Sequence, residues 1–152
     1  MSAEFIMSKG ATPREVFERL IAGIASGELA PLADLYAEDA VVEIVFEPVG
    51  PRRIVGREVL RERFAQAEKE RPIELATKNV VVRETDDPEV VVAEFDYEVH
   101  HRGTGRTFEV ANIQVLRVRD GLIVSTRDFH DHLGFAVGGN RLTELFEALA
   151  AK

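Results

Sequence analysis

Cysteine is absent from the 152 residues. That excludes disulfides, thiolate catalysis and cysteine-based metal sites together. Basic clusters able to neutralise phosphates are missing as well, and the net charge is −8, so nucleic acid and anionic membrane surfaces are not expected partners. No apolar run approaches the ~20 residues a membrane-spanning helix needs, and the first residues lack the basic-then-apolar pattern of a secretion signal. The chain has no internal repeat, low-complexity tract, glycine-rich phosphate loop, nucleophilic serine elbow or kinase signature. What remains is an ordinary globular composition, 45% hydrophobic and 30% charged, long enough for one domain with a real core. A cytoplasmic enzyme or small-molecule binder is the expectation.

Residues 1–11 carry no strong pattern and are expected to form a loose arm, with a single domain over 12–152. Thr12-Pro13-Arg14-Glu15 starts a helix: a Thr cap, Pro at the first helical position, and Glu three residues after the cap. Val16, Phe17, Leu20, Ile21 and Ile24 then recur at helical spacing, and Gly27 closes the segment. A short helix is predicted around Pro31 to Tyr36, a mostly buried strand over Ala40–Phe46, and a loop at Gly50-Pro51. Gly56 precedes a second helix over Arg57–Lys69.

After Pro72 the period changes to two. Strands are predicted at about Ile73–Glu84, Val90–His101, Arg106–Arg119 and Leu122–His130, joined by Asp86-Asp87-Pro88, Gly103-Thr104-Gly105 and Asp120-Gly121. An amphipathic helix is predicted from Gly139 to Ala151. This order makes an α+β fold in which a long antiparallel meander curves around helices on one face and leaves a cone-shaped pocket.

The run Arg127-Asp128-Phe129-His130-Asp131-His132 is the feature that most demands a reason. A strand end carrying this many ionisable groups is costly to bury, so it is a solvated rim or a site. If the strand alternates regularly, Val124, Thr126, Asp128 and His130 share one face, and Ile123, Ser125, Arg127, Phe129 and Asp131 the other. On the pocket face, Asp128 would be desolvated and its pKa raised toward the range of a general acid or base. On the other face it would pair with an arginine. Asn112 and Gln114 lie two apart on one face of a central strand, where two amides need partners; a pocket wall supplies them. Tyr36, Tyr97, Phe46 and Phe95 are candidates for the cavity lining, and a phenol there can donate to an oxyanion. Glu38-Asp39 suits a solvated turn, and Glu94, Asp96 and Glu98 a solvated face.

The four histidines do not compose a metal site by spacing. His100 and His101 point to opposite faces; His130 and His132 could share a face with Asp128, giving a carboxylate and two imidazoles, but the strand is expected to end near His130, so that spacing does not carry through. No metal and no cofactor is therefore expected. His130 is the histidine best placed to tune or relay a proton.

Leu35-Tyr36-Ala37-Glu38-Asp39-Ala40-Val41, Gly56-Arg57-Glu58-Val59-Leu60 and Arg117-Val118-Arg119-Asp120-Gly121-Leu122-Ile123 continuing into Arg127-Asp128-Phe129 resemble the nuclear-transport-factor-2-like superfamily, and within it the SnoaL-like proteins. The resemblance implies a cystatin-like α+β barrel, usually a homodimer, with relatives among the ketosteroid isomerases and polyketide cyclases. Glu84-Thr85-Asp86-Asp87-Pro88 and Arg127-Asp128-Phe129 are similar to the phenazine-biosynthesis A/B group, and that match implies a general acid/base role for Asp128. Arg57 stands where that group tends to carry a histidine, which argues against phenazine chemistry itself and leaves a related acid/base role open.

The expectation is thus a cofactor-free acid/base enzyme acting on a small, cyclic, carbonyl-bearing substrate by isomerisation, cyclisation or dehydration. Asp128 and His130 would be catalytic, with Tyr36, Phe46, Tyr97, Asn112 and Gln114 binding the substrate. The rival is a non-catalytic module that uses the same cone to hold a small molecule or another protein. Epoxide hydrolysis through Arg127, Asp128 and Asp131 ranks below both, because alternation sets the first and last of these opposite Asp128.

Overall fold

The computed structural model describes residues 10–152. The expected N-terminal arm lies almost wholly outside the described residues. Helix α1 (Pro13–Ser26) begins where the sequence says it should. Thr12 accepts from the Glu15 backbone N–H while the Glu15 side chain accepts from the Thr12 backbone N–H, and Gly27 ends the helix at φ 86°. Its apolar stripe, Val16, Phe17, Leu20 and Ile21, is buried against the sheet. A 3₁₀ turn (Ala30–Leu35) leads into strand β1 (Tyr36–Ile44). Tyr36 is therefore the first residue of a strand rather than the end of a helix, and the strand starts four residues earlier than the apolar pattern suggested.

A short strand β2 (Arg53–Val55) follows, then helix α2 (Arg57–Glu70), then the meander β3 (Ile73–Glu84), β4 (Val90–His101), β5 (Thr107–Arg119) and β6 (Leu122–His130). Two short helices, α3 (His132–Gly138) and α4 (Leu142–Ala150), complete the chain. β2 and α3 are not visible in the hydrophobic pattern. The first is three residues long, and the second is apolar along a run too short to show a period.

The strands form one six-stranded sheet in the order β2-β1-β6-β5-β4-β3. Every pairing is antiparallel except β1 with β6. Its edges, β2 and β3, remain open: the sheet curls into a cone without closing as a barrel. The β5–β6 hairpin turns on Asp120 and Gly121, at φ 52° and 76°. Two consecutive left-handed residues match the twist of the strands they join, and Asp-Gly is the pair that tolerates this best.

Two irregularities bend the sheet. In β3 the register slips between Lys78 and Val81, beside Asn79 at φ 56°. In the β5–β6 pair the register shifts so that Arg117 faces Ser125 while Val118 faces Ile123. The extra residue at Val124 breaks strict alternation, as a bulge does. Ile123 and Thr126 are consequently both buried on the concave face, and the sequence-based assignment of Ile123 to the outer face and Val124 to the inner one is corrected. Downstream of the bulge, Thr126, Asp128 and His130 keep the common face expected of them.

The core lies between α1, the 3₁₀ turn, α2 and the concave face of β4, β5 and β6. Phe17 rests on Phe95 with ring centroids 5.5 Å apart, and Phe95 on Tyr97 at 5.3 Å. Glu94, Asp96 and Glu98 point the other way, where Lys78 pairs with Glu98 and Arg83 with Glu94. No described helix is long and apolar enough to cross a membrane.

Candidate active site

Cross-strand register builds the site. Gln114 lies directly opposite Asp128, and Asn112 opposite His130. One strand further on, Ala93 pairs with Gln114. Between the concave sheet and the helices lies a cavity of about 420 Å³, within the range usual for small-molecule sites. Tyr36, Tyr97, Gln114, Asp128 and His130 all line it.

Asp128 is 9% exposed. Burial pushes its carboxyl pKa above the ordinary value; the nearby His130 and the Gln114 hydrogen bond offset this only in part. Gln114 Nε2 donates to Asp128 Oδ1 at 2.8 Å. The buried Thr126 hydroxyl favours the ionised form more weakly and makes no hydrogen bond of ordinary geometry. Since Gln114 spends its donor on Asp128, its buried Oε1 has no protein partner and can accept from a ligand hydroxyl.

His130 is oriented by Asn112. The Asn112 Nδ2 faces the carbonyls of Phe95 and Val110 at 3.4 Å each, which leaves Oδ1 as acceptor for His130 Nδ1 at 2.8 Å. The neutral tautomer fixed in this way carries its proton on Nδ1 and presents a lone pair on Nε2. Nε2 lies 3.9 Å from Asp128 Oδ2. Burial lowers the His130 pKa, with the Asp128 charge opposing it. The pair thus sets a carboxyl group whose pKa is raised beside an imidazole whose pKa is lowered.

Two phenols stand within electrostatic reach. Tyr36 and Tyr97 are both held well above the ordinary tyrosine value, first by burial and then by the Asp128 charge. Raised in this direction, each phenol favours its protonated form and can donate a hydrogen bond.

Asn112 is buried behind His130 and is not part of the cavity wall; its place is that of a support. Phe46 is a correction. It is 63% exposed and packs edge-on against Phe129, centroids 5.6 Å apart, on the outer face. β1 ends at Ile44, where a turn closed by Glu47 N–H donating to the Ile44 carbonyl at 3.1 Å swings Phe46 away from the cavity. Arg127 also faces outward, 3.9 Å from Glu43 and stacked over Phe129 at 5.4 Å. Asp131 caps α3 by accepting from the Gly134 N–H at 2.8 Å. Neither reaches the cavity, so an Asp–Arg–Asp arrangement does not form around Asp128.

Two ionisable cavity residues were not among the expected site residues. His132 lines the wall through α3. Its Nδ1 lies 3.6 Å from Glu47 Oε2 and its ring 6.0 Å from that of His130, centroid to centroid, and its buried Nε2 has no partner. Arg63 lines the opening from α2. The helix that carries His132 is one of the two elements not visible in the pattern, and no motif in the sequence singles out Arg63. Among the described residues, no three histidine, aspartate or glutamate side chains are grouped as metal ligands.

Gln114→Ala tests the support of the acid. It leaves Asp128 without its donor at a cost of about 1–3 kcal/mol in stability, and it raises the Asp128 pKa further, because the hydrogen bond favours the ionised form. Denaturant titration with a carboxyl NMR titration checks both. An unchanged Asp128 pKa would contradict the assigned role of Gln114.

Comparison with known proteins agrees with this architecture. The SnoaL-like domain model matches residues 17–126, and the chain belongs to that family, within the nuclear-transport-factor-2-like superfamily. An uncharacterized protein of Bacillus subtilis strain 168, YesE, is 29% identical over 120 residues, covering 78% of this chain and 81% of its own. A provisionally named isomerase from Bacillus subtilis superposes with a TM-score of 0.76 at 24% identity, covering 93% of this chain and 97% of that one. A provisionally named polyketide cyclase from Pseudomonas putida gives 0.71 at 16% identity over 85% and 98%. A phenazine biosynthesis-related protein from Pseudomonas aeruginosa gives 0.69 at 21% over 92% and 85%. At these identities the structural likeness is one of fold.

Proposed function

We propose that the protein is a cofactor-free acid/base enzyme acting on a small cyclic carbonyl compound, of the isomerase, cyclase or dehydratase type. The observation that carries the reading is the Asp128–His130 pair, one carboxyl and one imidazole 3.9 Å apart on the wall of a cavity lined by two buried phenols. Loss of a proton α to a carbonyl leaves negative charge on the carbonyl oxygen. A base near its operating range and a neutral donor for that oxygen are the two groups such a step requires. In this reading Asp128 takes the carbon-bound proton, Tyr36 or Tyr97 donates to the enolate oxygen, and His130 exchanges the proton with Asp128. The names carried by the structural relatives, isomerase and polyketide cyclase, support the same class of chemistry.

The test is hydrogen–deuterium exchange at the α-carbons of a panel of cyclic ketones and hydroxyketones in D₂O, followed by proton NMR. The wild type should accelerate loss of the α-proton signal for part of the panel. Exchange equally fast with Asp128→Asn would sink the assignment.

We also propose that two copies associate through the outer sheet face. Phe46 (63% exposed) and Ile113 (40% exposed) form an apolar patch there with Phe129. Sedimentation equilibrium should then return twice the chain mass, and Ile113→Lys a single mass. A monomeric wild type would refute it.

A further inference from the structure

The opening of the cavity carries one unspent cation. Helix α2 contains four glutamates, Glu58, Glu62, Glu68 and Glu70. Residues on one helical face lie three or four apart, and around Arg63 those positions are Val59, Leu60, Gln66 and Ala67. None is acidic. The neighbouring arginines are engaged: Arg61 with Glu58 and Asp34 at 3.0 and 2.9 Å, and Arg57 with Glu58 at 3.6 Å. Arg63 has no ion pair among the described residues, yet it borders the cavity with Phe64 and Ala67. It is exposed while Asp128 is buried, so the guanidinium stands at the lip and the carboxyl at the floor.

This polarity matters in a protein of net charge −8, whose overall field repels anions. Arginine left free at the lip, with a planar fork matched to a carboxylate, is a local exception to that field. A carboxylate driven to the floor would instead meet Asp128. The polarity therefore fixes which end of a ligand enters first. We infer that Arg63 forms an anion subsite at the cavity mouth, and that the substrates are small cyclic carbonyl compounds bearing a carboxylate. The carbonyl end enters toward Asp128 and the phenols, and the carboxylate stays at Arg63. The inference rests on the reading of the cavity as a site for enolisable carbonyl compounds.

Naphthols mimic an enol in shape and acidity and report their own binding by fluorescence. The experiment titrates the full chain with 2-naphthol and with hydroxynaphthoates carrying the carboxylate at different ring positions. At least one hydroxynaphthoate should bind about tenfold or more tightly than 2-naphthol at low ionic strength, a preference of charge-assisted size that weakens with added salt. Arg63→Gln should remove the preference and leave 2-naphthol affinity unchanged, and Arg63→Glu should reverse it. Arg63 is exposed, so both variants should unfold at the wild-type temperature. Equal affinities in the wild type, or a preference that survives Arg63→Gln, would overturn the subsite while leaving the cavity reading intact. Failure of 2-naphthol and every hydroxynaphthoate to bind would overturn both.

Discussion

Replacing Asp128 by asparagine is expected to lower α-proton exchange by roughly 10²–10⁴-fold, the usual contribution of a positioned general base, and at the same time to stabilise the protein at neutral pH. The two effects have one cause. Asparagine keeps the shape of the side chain and its acceptor for Gln114, but it carries no charge into the buried wall. In the wild type, burial holds the Asp128 pKa above its ordinary value. A carboxyl whose folded pKa is raised carries no penalty below its unfolded pKa, since both states are then protonated. The penalty grows as pH rises through the window between the unfolded and folded values, and it is fully present above the folded one. The asparagine variant should therefore match the wild type in acid and exceed it in stability as pH rises through that window, with a higher melting temperature near neutrality. Loss of both exchange and stability would mean that Asp128 is a structural, ion-paired residue.

His130 works in the opposite sense. Burial lowers its pKa, so the unfolded chain takes up a proton near ordinary histidine values while the folded one resists. Stability from this group is present above the unfolded histidine pKa and declines as pH falls below it. Asp128→Asn should steepen the acid limb in part, because it removes the charge that helps His130 accept its proton.

The largest effect on stability is expected from Phe17→Ala. Phe17 is fully buried and is the residue through which α1 rests on Phe95. Truncating a buried phenylalanine costs about 3–5 kcal/mol, the lost transfer energy plus the cavity left behind. That is a large share of the 5–15 kcal/mol that typically holds a domain together. Phe95 and Tyr97 are in contact and both line the cavity, so the hole opened behind Phe95 also loosens the mount of one phenol. Chemical denaturation followed by circular dichroism should show the midpoint fall with little change in slope. A loss under about 1 kcal/mol would mean that α1 does not seat on the sheet through this residue.

Why the meander was legible and the site only partly so follows from particular residues. β3 to β6 each run nine residues or more, β4 and β5 alternate almost throughout, and the turns carry Asp, Gly and Pro, so period and punctuation agree. The Thr12 capping box and Gly27 fix both ends of α1 in the same way. β1 misled because Leu35-Tyr36-Ala37 reads equally as a helix end. Phe46 misled because a strand's parity says nothing once a turn intervenes. Asn112 and Gln114 were singled out because amides in mid-strand need partners, Asp128 mostly through the family resemblance, and His130 because it lies two residues from Asp128. Their pairing across the strands depends on a register that the Val124 bulge shifts, and no local pattern announces that bulge. His132 was considered and set aside because the strand was expected to end before it. It does end there, but α3 then turns the side chain back to the wall. Arg63 was hidden because an unpaired arginine is visible only by what fails to surround it.

The proposed chemistry depends on the state of one carboxyl group. A carbon-13 NMR titration of the aspartate carboxyls, with Asp128→Asn as the assignment control, measures it directly. Asp128 should titrate above the ~3.9 of an unperturbed aspartate, with His130 titrating below the ordinary histidine value. An Asp128 pKa at or below the reference would show a paired or solvated carboxylate, and the cavity would then be a binding site without its acid/base.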